Sequence, residues 1–378
     1  MRIVLNTRSD TAGAQASIVG LASRLRAAGV DATLNDWGAY ERYDVAVFLG
    51  YDHELEEARR ANPAIRIGLS DPKQSRREWI EAARAADFLL VGSVEQREAF
   101  LRLNANVFVL YMFPLVEARE RIHVAAERTV VAYHGNRVHL ESMRETVRIA
   151  LDELGRGRQV ELVAVYDVAG AGPASDACLP NPTLVPTRHV QWSPEALVTE
   201  LSRADIGIVP NLLPIRDPRG ALRRTALPEP WLAYEPFDHL LRLKASSNPN
   251  RLYPFARLGV PVVADLTPSF AQFVLDGVSG YLAHSARGWL RALELLADSP
   301  ASRTTMAAEL RARIDAAERR QVPDLLAFLQ GPPRALLGRP TGERTVDEDL
   351  ADLAGYGAPT GSARRERLRA RLVALRRR

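Results

Sequence analysis

Short apolar runs alternate with amphipathic stretches along the first third of the chain. Positions 2–6, 30–34, 43–49, 64–69, 88–92 and 107–110 predict strands. The near-continuous run at 43–49 has the pattern of a strand covered on both faces. Between these runs, 14–28, 54–61, 75–86 and 95–103 predict helices. In the first helix Ile18, Leu21, Ala22 and Leu25 recur at helical spacing, and Gly29 stops it. Strand alternating with helix predicts a parallel sheet wound on both faces.

Residues 114–128 are charged and carry no strand pattern, so 116–128 is assigned as a crossing between domains. A second alternating series follows. It predicts strands at 130–133, 161–165, 190–192, 206–209, 261–264 and 280–283. Its helices are predicted at 142–154, 194–203, 249–257, 269–275, 287–296 and 302–319, with a loop at 169–188. Segment 210–238 holds six prolines and predicts an irregular flap. Residues 331–361 hold four prolines and six glycines, the composition of a linker. Beyond it, Leu368, Leu372 and Leu375 share one side of a basic terminal segment, 362–378. The expected fold class is α/β, with two doubly wound Rossmann-like domains, 1–115 and 129–330, facing a cleft.

Composition narrows the class. The chain has 378 residues, 47% of apolar type and 25% charged, ordinary values for globular domains. The lone cysteine, Cys178, excludes an internal disulfide and a four-thiolate zinc site. No run of 18 apolar residues occurs, and the first ten residues read as a strand and a polar loop; a cytoplasmic location is expected. The net charge is +4, but the last 18 residues carry +7, which leaves −3 for residues 1–360. A nucleic-acid binder would spread cations over its body, so no nucleic-acid partner is expected. The Arg-rich tail predicts peripheral contact with anionic lipid at the cytosolic membrane face.

Motifs exclude several chemistries. The turn after the first strand, NTRSDTAGAQAS, lacks GxGxxG, and no P-loop, HExxH or GxSxG occurs. The informative stretch is 238–289. Lys244 and Arg251 are cations in one polar loop with Asn248 and Asn250, ahead of a helix. Thr267-Pro268-Ser269 opens another helix. Cations beside free helix N–H groups suit a phosphate. Gly135 and Asn136 follow the first strand of the second series, where a cleft between α/β sheets lies. In the first half Asp10, Asp52, His53, Asp71 and Lys73 also follow predicted strands. Trp231, in the proline-rich flap, is a candidate for stacking on a sugar.

The ordered set Gly259-Val-Pro-Val-Val-Ala264, Asp276-Gly-Val-Ser-Gly-Tyr-Leu282 and the Trp289 helix resembles the donor half of GT-B glycosyltransferases. It looks most like the retaining, family-4-like bacterial enzymes. Ala204-Asp-Ile-Gly-Ile-Val-Pro210 and Ala86-Asp-Phe-Leu-Leu-Val-Gly-Ser93 extend the likeness more weakly. The resemblance implies a nucleotide-sugar donor and no separate cofactor, with a glycan, lipid-linked or protein acceptor. It implies that Lys244 and Arg251 stabilise the departing diphosphate, without a metal. Gly135, Asn136, Asn248, Asn250, Thr267, Pro268 and Ser269 would hold the nucleotide sugar. Asp10, Asp52, His53, Asp71 and Lys73 would face the acceptor. Many family-4 enzymes carry two glutamates where this chain has Ser246 and Pro254. That departure supports a second reading, a non-catalytic nucleotide-sugar or glycan-binding module.

Overall fold

The computed structural model describes residues 1–73, 76–114, 116–211, 213–214, 241–242, 248–335 and 345. Lys244, Ser246, Trp231 and most of the flap, as well as the linker beyond 335 (Thr345 apart) and the basic tail, lie outside the described residues.

The first series builds a parallel sheet of β1 (Arg2–Asn6), β2 (Asp31–Leu34), β3 (Val45–Leu49), β4 (Arg66–Ser70), β5 (Phe88–Val91) and β6 (Val107–Val109). Their order is β2-β1-β3-β4-β5-β6. Side chains alternate across a strand, so β1 feeds both faces. Val4 joins Ala46, Phe48 and Leu89 on one side, and Ile3 and Leu5 join Leu21, Leu25 and Leu90 on the other. At Gly68 a Cβ would lie 2.1 Å from the Phe88 ring, so glycine is what lets β5 fill that space.

The second series builds another parallel sheet. Its strands are β7 (Arg128–His134), β8 (Gln159–Tyr166), β9 (Thr187–Gln191), β10 (Ile206–Val209), β13 (Val262–Asp265) and β14 (Tyr281–Ala283). A separate two-residue pair, β11 (Leu213–Pro214) and β12 (Leu241–Arg242), stands between β10 and β13 in sequence. The six-stranded order is β14-β13-β10-β7-β8-β9. Two apolar clusters cover its faces, one around Trp289 and Leu151, the other around Phe255 and Leu201. The two doubly wound sheets match the expected fold class. Residues 116–127, between β6 and β7, hold no regular element.

Several elements depart from the sequence-based expectation, two of them in the second half's helices. The helix expected at 269–275 spans only Pro268–Ala271. The last helix, expected at 302–319, runs from Pro300 to Gln330 through Pro323. Its two halves serve different sheets. Leu310 and Ile314 lie in the second core, whereas Val322, Leu325 and Leu329 lie in the first beside Ile3 and Leu5. Burial of that apolar stripe outweighs the hydrogen bond lost at Pro323.

Candidate functional site

Open α/β sheets bind ligands beyond the carboxyl ends of their strands, where the strand order reverses. In the second sheet the reversal falls between β7 and β10, because the chain runs from β7 outward to β8 and β9 before returning. The loops that leave this point begin at Gly135 and at Pro210. Arg251 inserts between them. Its Nη1 donates to the Pro210 carbonyl at 2.6 Å and its Nη2 to Asn211 Oδ1 at 2.8 Å. Only 9% of the residue is exposed. Burial lowers its pKa from the ordinary arginine value, against the opposing pull of Tyr133 and Asp265. It also hydrogen-bonds the Tyr133 hydroxyl, and with five N–H donors it keeps capacity for a further acceptor.

Gly135 makes this insertion possible. Its φ is +133°, and a Cβ there would lie 2.7 Å from Arg251 Cδ. Asn136 accepts the Tyr133 hydroxyl through its carbonyl at 2.6 Å and caps the helical turn Arg137–Glu141 with its side chain. Asn211 is anchored in turn: its N–H donates to Asp265 Oδ2, and Asp265 Oδ1 accepts from Trp289 Nε1 at 3.1 Å. Asp265 and Trp289 are fully or almost fully buried, at 2% and 0% exposed. A relay of hydrogen bonds therefore runs from Trp289 through Asp265 and Asn211 to the Arg251 guanidinium.

His134 packs beneath this group. Its Nε2 donates to the Arg251 carbonyl at 2.9 Å, and its ring tilts against Phe255. Burial, reinforced by the Arg251 charge, pushes His134 down to about 4. The unfolded chain then binds more protons than the folded one between about pH 6.5 and pH 4. Stability is expected to be complete above this window and to fall by about 3 kcal/mol as pH drops through it. Urea unfolding at pH 7 and pH 4.5, on wild type and His134→Asn, checks this; an equal pH slope in both proteins would reject it.

The other second-half candidates cluster less tightly. Asn248 caps the turn Pro249–Arg251 by accepting from Asn250 N–H at 3.4 Å. Asn250 Nδ2 reaches Met112 Sδ at 3.5 Å. Thr267 caps helix Pro268–Ala271, its Oγ1 accepting from Phe270 N–H at 3.3 Å. Ser269 is fully buried, and its N–H and hydroxyl both bond the Glu95 carboxylate of the first half.

In the first sheet the order reverses between β1 and β3. There the Arg8 guanidinium bonds Asp52 at 2.9 Å and Glu54, and lies 3.7 Å over the Trp37 ring. The Arg8 N–H also donates to Asp52, at 2.6 Å. Tyr40 donates to Glu54 at 2.8 Å. His53 stands beside this group, its pKa lowered by burial. Asp10 is exposed on the loop after β1. Asp71 pairs with Lys73 at 2.6 Å after β4. Sequence reasoning placed Asp52 and His53 here but missed Arg8, Trp37 and Glu54. It also missed Asn211, Asp265 and Glu95. Each of these follows a predicted strand, and that position was the available signal.

No protein-family model and no curated protein sequence matches the chain. Solved structures do. Sucrose-phosphate synthase from Thermosynechococcus elongatus superposes with a TM-score of 0.57 at 13% identity, covering 87% of this chain and 98% of its own. Trehalose-6-phosphate synthase from E. coli, bound to UDP-2-fluoro glucose, gives 0.54 at 12% identity, over 88% and 100%. Anabaena HepE, in complex with UDP and glucose, gives 0.53 at 12% identity, over 86% and 99%. The chain has the GT-B fold. In this GT-B chain the two strand-order reversals lie in separate sheets, and Arg251 occupies the one in the second. Identities this low show the fold alone. Among the described residues, no helix is long and apolar enough to cross a membrane.

Proposed function

We propose that the protein transfers a sugar from a nucleotide-diphosphate donor to a glycan, lipid-linked or protein acceptor, as a retaining, metal-independent hexosyltransferase. The observation that carries this reading is Arg251, a buried cation fixed at the strand-order reversal of a GT-B second sheet. A departing nucleoside diphosphate gains negative charge as the anomeric bond breaks. A cation already fixed in a low-dielectric site stabilises that charge without reorganising. Lys244 is assigned the second positive charge from its place in the same loop. Gly135, Asn136, Asn248, Asn250 and Thr267-Pro268-Ser269 are assigned to the donor. Asp10, Asp52, His53, Asp71 and Lys73 are assigned to the acceptor. The tail is assigned a peripheral contact with anionic lipid.

Neighbours whose structures hold UDP or a UDP-sugar make uridine the first base to try. The test is a thermal-shift panel of UDP, GDP, dTDP, ADP and CMP on wild type and Lys244→Ala. A ligand at about a hundredfold over its Kd stabilises by about 2.7 kcal/mol. One diphosphate should stabilise wild type by this order and Lys244→Ala less. No shift with any nucleotide would end the reading. The binding-module alternative is favoured by Pro254, which is buried in helix Leu252–Arg257 and offers no carboxylate. Donor turnover by the protein separates the two.

A further inference from the structure

Helix Pro300–Gln330 passes from one core to the other, and Glu318 lies at the crossing. Ile314, one turn before it, belongs to the second core, and Val322, one turn after it, to the first. The Glu318 carboxylate takes a cation from each half. Oε1 accepts from Arg24 Nε at 3.1 Å, and Oε2 accepts from Arg257 Nη2. Arg24 belongs to helix Gly20–Ala27, whose Leu21, Ala22 and Leu25 pack on the first sheet. The side chains of Arg24, Arg257 and Glu318 are 12%, 15% and 24% exposed, so salt screens these pairs far less than surface ones.

Arg257 ends helix Leu252–Arg257, and Arg251 stands at the other end of the same piece. Leu252, Tyr253, Pro254, Phe255 and Ala256 are all buried, so close packing makes the two arginines the ends of one rigid body. Its far end is held three times. Glu318 is one hold; Asp315 Oδ1 accepts from Arg257 Nη1 at 2.7 Å, and the Arg257 carbonyl accepts from Arg119 N–H at 2.7 Å. Of these, Glu318 also holds Arg24. Arg24 donates in addition to the Phe113 carbonyl, and the Phe113 ring lies 4.7 Å from that of Tyr253. One turn beyond Glu318, Pro323 removes a backbone donor, so the long helix bends most easily just past this joint.

We propose that Glu318 is a positioning residue for Arg251, coupling the seating of the first half to the placement of the guanidinium fork that meets the donor's diphosphate. This rests on the nucleotide-sugar reading above. With Glu318 charged, two cations that repel each other are held on one carboxylate. Without that charge, Arg24 and Arg257 face each other uncompensated, and the helix they bear on is pushed. The Arg251 fork has to meet two acceptors at 2.6 and 2.8 Å, so a small tilt of its helix breaks one of them. Misplacement of a positioned group by about 1 Å is enough to cost function.

The test uses the full chain as wild type, Glu318→Gln and Arg24→Met, the second removing the same pair from the side of the first half. Each change is also made in an Arg251→Lys background, which keeps the charge but not the fork. Calorimetric titration measures UDP, GDP, dTDP and ADP. With Arg251 in place, each variant should bind the accepted diphosphate about three- to tenfold more weakly, an ordinary coupling for residues in one network. With Lys at 251 the same changes should cost less than about twofold. A merely structural role would weaken binding equally in both backgrounds, and that result would overturn the proposal. So would unchanged binding in both variants, or a loss from Glu318→Gln with none from Arg24→Met, because the first half would then play no part. Should Glu318→Gln fail to fold, Arg24→Met carries the comparison between backgrounds. If no diphosphate binds wild type, the donor reading itself falls, a result distinct from unchanged binding.

Discussion

On the proposed function, replacing Arg251 with Met should lower glycosyl transfer by on the order of a hundredfold or more, the scale for loss of one preorganised stabilising donor. The geometry predicts a second effect. The guanidinium bridges Pro210 O and Asn211 Oδ1, two acceptors on a loop that leaves the strand-order reversal. Without it, the buried Pro210 carbonyl loses a charged donor, at a cost of about 1–3 kcal/mol. Arg251→Lys should not rescue activity. A single ammonium lacks the planar fork that holds two acceptors at once. Turnover and melting temperature of both variants, measured together, check this. Full activity in Arg251→Lys would show that charge alone suffices and that the fork is dispensable.

Trp289→Ala should destabilise the protein by about 3–5 kcal/mol. The side chain is fully buried within the core formed by β7, β8 and β13. Trp289→Phe keeps most of the ring volume but removes the Nε1–H that Asp265 Oδ1 accepts. Losing one donor to a buried carboxylate costs about 1–3 kcal/mol. Because Asp265 also holds the Asn211 N–H, the Phe variant should loosen Asn211 and, through it, Arg251. Urea unfolding followed by circular dichroism gives the stability, and diphosphate affinity gives the transmitted effect. A Trp289→Phe protein with wild-type stability and affinity would show that the relay carries nothing.

Parts of the candidate site were legible in the chain. Gly135, Arg251 and Asn248 were recognisable because each sits next to a strand or helix boundary, and boundaries follow from local pattern. Gly135 proves to be the residue that leaves room for Arg251. In the sequence Arg251 is a loop cation suited to a phosphate. Its guanidinium is also a structural clamp on Asn211, forty residues earlier in the chain. By its position Ser269 opens a helix and suits an anion, and the structure places Glu95 on it, 174 residues away. Nothing in the spacing of either residue could show these pairings.

The alternation of strand and helix is set by hydrophobic periodicity, which acts over a few residues, and it specified two wound α/β sheets. The same local signals marked the loops where polar groups gather. Partner choice is different. Which carboxylate meets Ser269, which amide meets Arg251 and how far the last helix runs depend on surfaces that meet only after both sheets have formed. Helix Pro300–Gln330 passes through Pro323 because Val322, Leu325 and Leu329 find the first sheet's core. Burial free energy is gained only when distant segments come together, so these features follow from packing and not from any local stretch of residues.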